Sequence, residues 1–380
     1  MRSPKKTAIW IRQGALCLMA ALLLSGCVRA LHRASERLRQ GTSSPTMVMT
    51  ANAGVPQRVR DELERVVKNG VPGVTAIVMR DGKQLFRLDV GKIDPNAQFP
   101  IASSSKWMTA ALVMIVVDEG KLSLDEPIAK VLPAFQGQAG TVTLRELLAQ
   151  TSGEGSLKSL VDVRQDPRIT LAESAMQVAR RPLEDPPGTV FKYGGPGFQV
   201  AGAAVEAVTG RRWAELFDER IAQPLGMTQT YWTHLPNRGI SPADTRNPLL
   251  QGGVVTTADD NMRFLTMLAQ HGRYEGHQIL SAKAIDTMET IQTLGKPMAY
   301  VPPGATDGAL YALGNWCETW TADGQCTLVS SPGAFGTFPW IDRQTGLYGI
   351  FFMRDRLPNA VQGLARARTA IIAASRFPAD

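Results

Sequence analysis

Residues 99–106 read Phe-Pro-Ile-Ala-Ser-Ser-Ser-Lys and lead through Trp107-Met108-Thr109-Ala110 into an apolar run that ends at Glu119-Gly120. From Ser103 to Glu119 this pattern predicts a long buried helix stopped by Gly120. Ser103 and Lys106 are three apart, which on a helix puts them on one face, about one turn apart. A serine hydroxyl is a poor nucleophile without a base. A lysine amine serves as that base only when neutral, and its ordinary pKa is about 10.4, so burial or a neighbouring cation has to lower it. At the start of a helix Ser103 also faces free backbone N–H groups suited to an oxyanion. Ser104 and Ser105 stand at the wrong offset for this pairing. Ser-x-x-Lys alone is a weak signal: Ser3-Pro4-Lys5-Lys6 matches it too, and a helix cap beside a solvated lysine reads the same way.

Outward from this stretch, strand signals sit at the two ends of the chain. Val74–Met79 and Gln84–Val90 are β-rich runs joined by Asp81-Gly82, a hairpin signal. Ahead of them Val59–Val67 has helical spacing and ends at Asn69-Gly70. Strand patterns return at Ala312–Trp320, Gln325–Ser330, Phe335–Ile341 and Leu347–Met353, and Gln362–Ser375 closes the chain as a helix. Between them Thr143–Gln150, Leu171–Arg180, Gln199–Thr209, Trp213–Ile221 and Thr257–Gln270 read as helices. The expected fold class is therefore α+β, an α/β sandwich. One antiparallel sheet takes strands from both chain ends and is flanked by helices. Residues 54–120 and 301–380 would form that sheet domain, and 121–300 a mostly helical insertion.

The N-terminus reads as an address. Residues 1–14 contain four cations and no anion, and Ala15–Leu24 is an apolar run followed by Leu24-Ser25-Gly26-Cys27. A basic start, a short apolar core and small residues before a cut describe a secretory signal over residues 1–26. The uncharged stretch is shorter than the roughly 20 residues a spanning helix needs. Leu-Ser-Gly-Cys resembles the bacterial lipobox, in which Cys27 would be lipidated and lead the mature protein; ordinary signal cleavage is the alternative. Several acyl chains on one cysteine anchor stably to a membrane. By the same resemblance, Val28 after the cysteine implies an outer-membrane lipoprotein with its folded domain in the periplasm. Residues 27–53 would be a tether; Arg29, Arg33 and Arg37 fit either a solvated run or a basic helix on anionic lipid. With Cys17 leaving in the signal and Cys27 committed to lipid, Cys317 and Cys326 remain. The Ala322-Asp323-Gly324 turn between them fits a bridged hairpin in an oxidising compartment, or else two buried thiols.

Charge and composition exclude other classes. The 380-residue chain has 41 Lys and Arg against 34 Asp and Glu, a net charge of +7. Residues 1–40 hold eight basic side chains and one acid, so they carry that whole net charge. The remainder is neutral overall, which gives no support for a nucleic-acid-binding surface. Four histidines and four scattered cysteines offer no zinc spacing, and neither a P-loop nor a GxSxG elbow is present. No metal or cofactor is expected. His234, His271 and His277 read as surface or core residues.

Several ordered blocks, spread over roughly residues 55–375, resemble the serine β-lactamase-like superfamily of class C β-lactamases, D-alanyl-D-alanine carboxypeptidases and related esterases. Phe99–Lys106 is similar to its nucleophile helix, and Leu122–Ile128 to the segment after it. Leu144–Gly153 (LRELLAQTSG) resembles its Thr-Ser-Gly loop. Pro187–Tyr193 looks like the approach to its second motif, and Gln223–Thr230 and Gly252–Phe264 resemble two further family stretches. The resemblance implies that Ser103 forms an acyl-enzyme with an ester, lactam or D-amino-acid amide. Lys106 would activate it, and Tyr193 would pass the shared proton to the leaving group, with positive charge from Lys106 nearby.

Two departures bear on the substrate. The family's second motif is usually Tyr-x-Asn; here it is Tyr193-Gly194-Gly195, so the substrate-binding place of the amide falls to Gly195. The third motif usually carries Lys or His before x-Gly. Here Ser331-Pro332-Gly333 is the best register, with Ser330 one residue away, and Ala334 would supply the second oxyanion N–H. No cation stands there to bind a substrate carboxylate; Arg343 and Arg354 are candidates to replace it. Uncharged esters need that cation less than penicillins or peptidyl-D-alanine do. The expected function is a serine hydrolase acting on esters or related small acyl substrates. The alternatives are a D,D-peptidase or β-lactamase, and a non-catalytic binding lipoprotein with a relic site.

Overall fold

Strand β1 (Gly73–Arg80) joins the two ends of the chain. It pairs with β2 (Lys83–Gly91) on one side and with β7 (Leu347–Met353) on the other, with Ile77 opposite Arg87 and Ile350. These relations come from a computed structural model that describes residues 54–155, 166–194, 196–234 and 239–376. The sheet is completed by β3 (Leu310–Tyr311), β4 (Trp316–Trp320), β5 (Cys326–Ser330) and β6 (Phe338–Asp342). Its order is β3-β4-β5-β6-β7-β1-β2, antiparallel throughout. The β1–β2 turn is Asp81-Gly82, both with positive φ, as a two-residue hairpin of matching twist requires.

Alternation along the strands sends side chains to two different cores. Val74, Ala76 and Val78 pack with Val59, Leu63 and Val66 of helix α1 (Gln57–Lys68) and with Leu364 and Ile371 of the C-terminal helix, Val361–Arg376. On the other face Ile77, Ile350 and Phe352 join the larger core. That core contains α2 (Ser105–Asp118), α3 (Leu144–Leu148), α4 (Leu171–Ala179), α5 (Pro196–Thr209) and α6 (Ala258–Ala269). Burial on both faces accounts for the nearly continuous apolar reading of β7, all of whose residues are buried. Helix α2 is apolar on all sides and buried from Ser105 to Val116, which suits a helix crossing the middle of a domain.

The structure departs from the sequence pattern where the chain approaches α2. The strand expected over 312–320 starts only at Trp316, as β4, because the chain leaving β3 first turns at Gly314 (φ +77°), where a Cβ would lie 2.6 Å from the Lys106 carbonyl oxygen. The strand expected from Phe335 starts at Phe338, because the preceding residues form a loop against the Ser103 turn. Helix α5 begins at Pro196 rather than Gln199; proline suits the first turn, where its missing N–H costs nothing. Cys317 and Cys326 form a disulfide across β4 and β5, with Cα atoms 5.5 Å apart. None of the described helices is long and apolar enough to cross a membrane.

Candidate active site

The turn before α2 sets the site. Ala102 has φ +46°, a conformation costly for a residue with a Cβ. It tightens the chain so that Ser103 sits in a 3-10 turn (Ala102–Ser104) ahead of the α-helix, rather than within the helix as the spacing suggested. The offset of three still brings the pair together. Lys106 Nζ donates to Ser103 Oγ at 3.0 Å and to the Gln251 carbonyl at 2.9 Å. The lysine is only 2% exposed. Neighbouring polar contacts pin the helix start: the Val254 N–H donates to Ser105 Oγ at 3.1 Å, and Thr109 Oγ1 donates to the Leu250 carbonyl at 2.6 Å.

Tyr193 closes the group. Its side chain hydrogen-bonds Ser103, and Lys106 Nζ lies 4.5 Å from the centre of its ring. The ring stacks on Trp316 at 5.6 Å and meets Tyr311 edge-on at 6.0 Å, in a nest that also holds Phe191. The backbone is fixed by Tyr193 N–H to the Tyr300 carbonyl at 2.9 Å and by Gly194 N–H to Gln150 Oε1 at 2.8 Å. Burial pushes the Tyr193 phenol well above its ordinary range, against a smaller opposing effect of the Ser103 hydrogen bond. At neutral pH the phenol therefore holds its proton.

The loop after β5 packs against the turn that carries Ser103. Ser330 Oγ donates to Glu318, itself paired with Arg368. The Ser331 carbonyl accepts from Ser104 Oγ at 2.6 Å, and Ser331 Oγ lies 3.5 Å from the Gly314 carbonyl. Gly333 lies so close to the nucleophile turn that a Cβ would fall 2.0 Å from the Ile101 carbonyl oxygen. Among the described residues, neither the Ser103 N–H nor the Ala334 N–H has an acceptor, which leaves both available to a developing oxyanion.

Arg343, a candidate to replace the missing cation, is committed elsewhere. Its guanidinium donates to Glu289 at 2.8 and 2.6 Å and to the carbonyls of Ala269 and Leu268 at 2.8 and 2.9 Å. Arg354 is exposed. His234 is buried with Nδ1 2.9 Å from the Asn247 carbonyl, and His271 and His277 are exposed. Among the described residues no cluster of three His, Cys, Asp or Glu side chains could hold a metal. Gly195 and Cys27 lie outside the described residues.

Sequence reasoning missed one group. Glu154 directly follows Thr151-Ser152-Gly153 and is 8% exposed. Its Oε2 accepts from Ser152 Oγ at 3.2 Å, while Oε1 is buried with no hydrogen-bond partner. Burial raises its pKa to about 7. It borders a slot shared with Gln150, Gly194 and Phe198. The one legible signal was an acid between two glycines in a block already singled out.

Comparison with known proteins identifies the family. The Beta-lactamase family model matches residues 55–374. Penicillin-binding protein 4 of Amycolatopsis lactamdurans is 32% identical over 250 residues, covering 57% of this chain and 65% of that protein. Protein flp of Staphylococcus aureus strain N315 is 26% identical, covering 54% of this chain and 44% of its own length. The matched region is thus less than two thirds of each of these relatives. A solved structure from Bacteroides dorei DSM 17855, provisionally assigned as a beta-lactamase, superposes with a TM-score of 0.71 at 31% identity, covering 81% of this chain and 95% of that one. EstCE1, described as a hydrolase with promiscuous acyltransferase activity, shares the fold at a TM-score of 0.68 and 19% identity, covering 84% of this chain and 98% of its own.

Proposed function

The chain belongs to the beta-lactamase family, whose members are serine hydrolases, and from that premise we propose that it hydrolyses esters or related small acyl compounds through an acyl-Ser103 intermediate. The observation that carries this reading is the cluster of Ser103, Lys106 and Tyr193, in a chain with serine rather than a cation at 331. Lys106, as the neutral amine, takes the Ser103 proton while Oγ attacks the acyl carbon. The carbonyl oxygen becomes an oxyanion, received by the N–H groups of Ser103 and Ala334. Tyr193 gives its phenolic proton to the leaving alkoxide and is reprotonated by the Lys106 ammonium. Water then attacks the acyl-enzyme with the same groups in reverse, releasing the acid and restoring Ser103.

A carboxylate-bearing lactam or D-alanyl peptide would find no cation at Ser331, with Arg343 held by Glu289, and this disfavours those substrates. The test is hydrolysis of p-nitrophenyl butyrate by the chain from Gly41 onward beside Ser103→Ala. Turnover abolished by the substitution is expected; equal turnover in both, or none in the wild type, overturns the esterase reading. Labelling of Ser103 by penicillin in place of ester turnover would point to the lactam and peptide class instead. We also propose that Cys27 is lipidated and tethers the domain at the outer membrane; release of a Cys27→Ser variant into the soluble fraction is the expected result.

A further inference from the structure

We propose that Glu154 is a specificity-determining residue that accepts a protonated amine carried on the acyl portion of the substrate. The proposal rests on the acyl-enzyme reading above and adds a substrate class to it. Three observations carry it. First, Oε1 of Glu154 is buried and has no hydrogen-bond partner, which a native structure tolerates poorly unless something else fills that role. Second, the carboxyl shares its slot with residues that neighbour the reacting groups. Its slot is bordered by Gly194, next to Tyr193, and by Phe198, whose ring is 5.6 Å from Lys106 Nζ. Third, the slot adjoins a cavity of about 320 Å³, also bordered by Glu154, with Val178, Pro182 and Leu183 on its walls. That lining offers an alkyl chain apolar contact, with the anion at one end.

Other charged groups face this region. Lys192 is paired with Glu184 at 3.0 Å and with Asp185. Arg181 and Glu184 line the cavity. Among the described residues no cation forms an ion pair with Glu154, and its only hydrogen bond is from Ser152. A primary ammonium has three donors and one charge, which match a carboxylate oxygen left without a donor. A neutral ligand of the same length leaves the acid as it is. A substrate carboxylate would be repelled, as it would also go unmet at Ser331.

The test uses the chain from Gly41 onward and needs no turnover. Calorimetry would compare n-hexylamine with n-hexanol in the wild type and in Glu154→Gln. The amine should bind the wild type at least tenfold more tightly than the alcohol, and that preference should vanish in the variant. It should also weaken at pH 5, where Glu154 is protonated. A merely structural Glu154 would shift both ligands together and leave their ratio intact. Equal binding of the two ligands, no binding of the amine, or an unchanged ratio in Glu154→Gln overturns the proposal. In kinetics, p-nitrophenyl 6-aminohexanoate should exceed p-nitrophenyl heptanoate in kcat/KM through a lower KM. Ser103-dependent turnover without that difference would sink the amine site alone. Absent turnover with intact amine binding would sink the esterase reading alone.

Discussion

Replacing Glu154 by Gln should make the protein more stable above neutral pH, and the size of the effect follows from the site. The carboxyl is buried, receives one hydrogen bond from Ser152 and has a pKa raised from 4.5 to about 7. A folded state that holds its proton more tightly than the unfolded chain loses stability as pH rises through that interval. Between these values the unfolded carboxyl has released its proton and the folded one retains it. Below 4.5 the two states bind the proton alike and nothing is lost. Above about 7 the whole difference is lost, roughly 3 kcal/mol at 1.36 kcal/mol per unit of pKa. Glutamine has nearly the same shape, accepts from Ser152 through its carbonyl oxygen and cannot ionise. The assay is urea unfolding of wild type and variant from pH 4 to pH 8. Titrations common to both proteins cancel in the difference. That difference should be near zero at pH 4 and favour Glu154→Gln by roughly 3 kcal/mol at pH 8. A difference independent of pH, or a variant less stable at pH 8, would refute the reasoning, because the carboxylate would then be solvated or paired.

Two further substitutions test the catalytic arrangement. Tyr193→Phe keeps the stack on Trp316 and removes only the hydroxyl, so ester turnover should fall by about 10²–10⁴-fold with the thermal midpoint little changed; a loss of less than tenfold would take Tyr193 out of the proton path. Gly333→Ala would place a Cβ 2.0 Å from the Ile101 carbonyl oxygen, against backbone that cannot swing aside. It should cost about 1–3 kcal/mol and lower kcat by about 10²-fold through a displaced Ala334 N–H, which stopped-flow kinetics and thermal unfolding would measure; full activity would show that the loop does not set the oxyanion site.

The sheet and its flanking helices were legible because they obey local rules. The Asp81-Gly82 turn demanded positive φ at both positions, and α2 was apolar all round because it is buried all round. Ser103, Lys106 and Tyr193 were legible as a set only because a family pattern ordered them; their meeting depends on contacts across 90 residues that no spacing rule supplies. What stayed hidden depends on tertiary approach. Sequence could not choose between Ser330 and Ser331, since a one-residue slip reverses the face of a strand. In the structure Ser330 bonds Glu318, which pairs with Arg368, and the Ser331 carbonyl accepts from Ser104. The breaks at Gly314 and ahead of Phe338 arise from backbone packed against the α2 turn, a contact with no local signature. Glu154 was passed over for a similar reason: an acid between glycines reads as solvated loop until its burial is known.

Two changes in polarity at this site support each other physically. On the proposed register Ser331 leaves the third-motif position without positive charge, so a substrate carboxylate would enter a desolvated site without a partner, at a cost of several kcal/mol. Glu154 adds the opposite preference on the side of the slot bordered by Gly194. Restoring a cation at the first position alone would not make a carboxylate-binding site, because the acid beside Phe198 would still oppose a second anion. The geometry thus predicts that Ser331→Lys gains carboxylate-bearing substrates only when combined with Glu154→Gln. In a double-mutant cycle on penicillin acylation of Ser103, the pair should exceed the product of the two single effects. Simple additivity would mean that the two positions act on separate ligands and that Glu154 lies outside the reach of the acyl group.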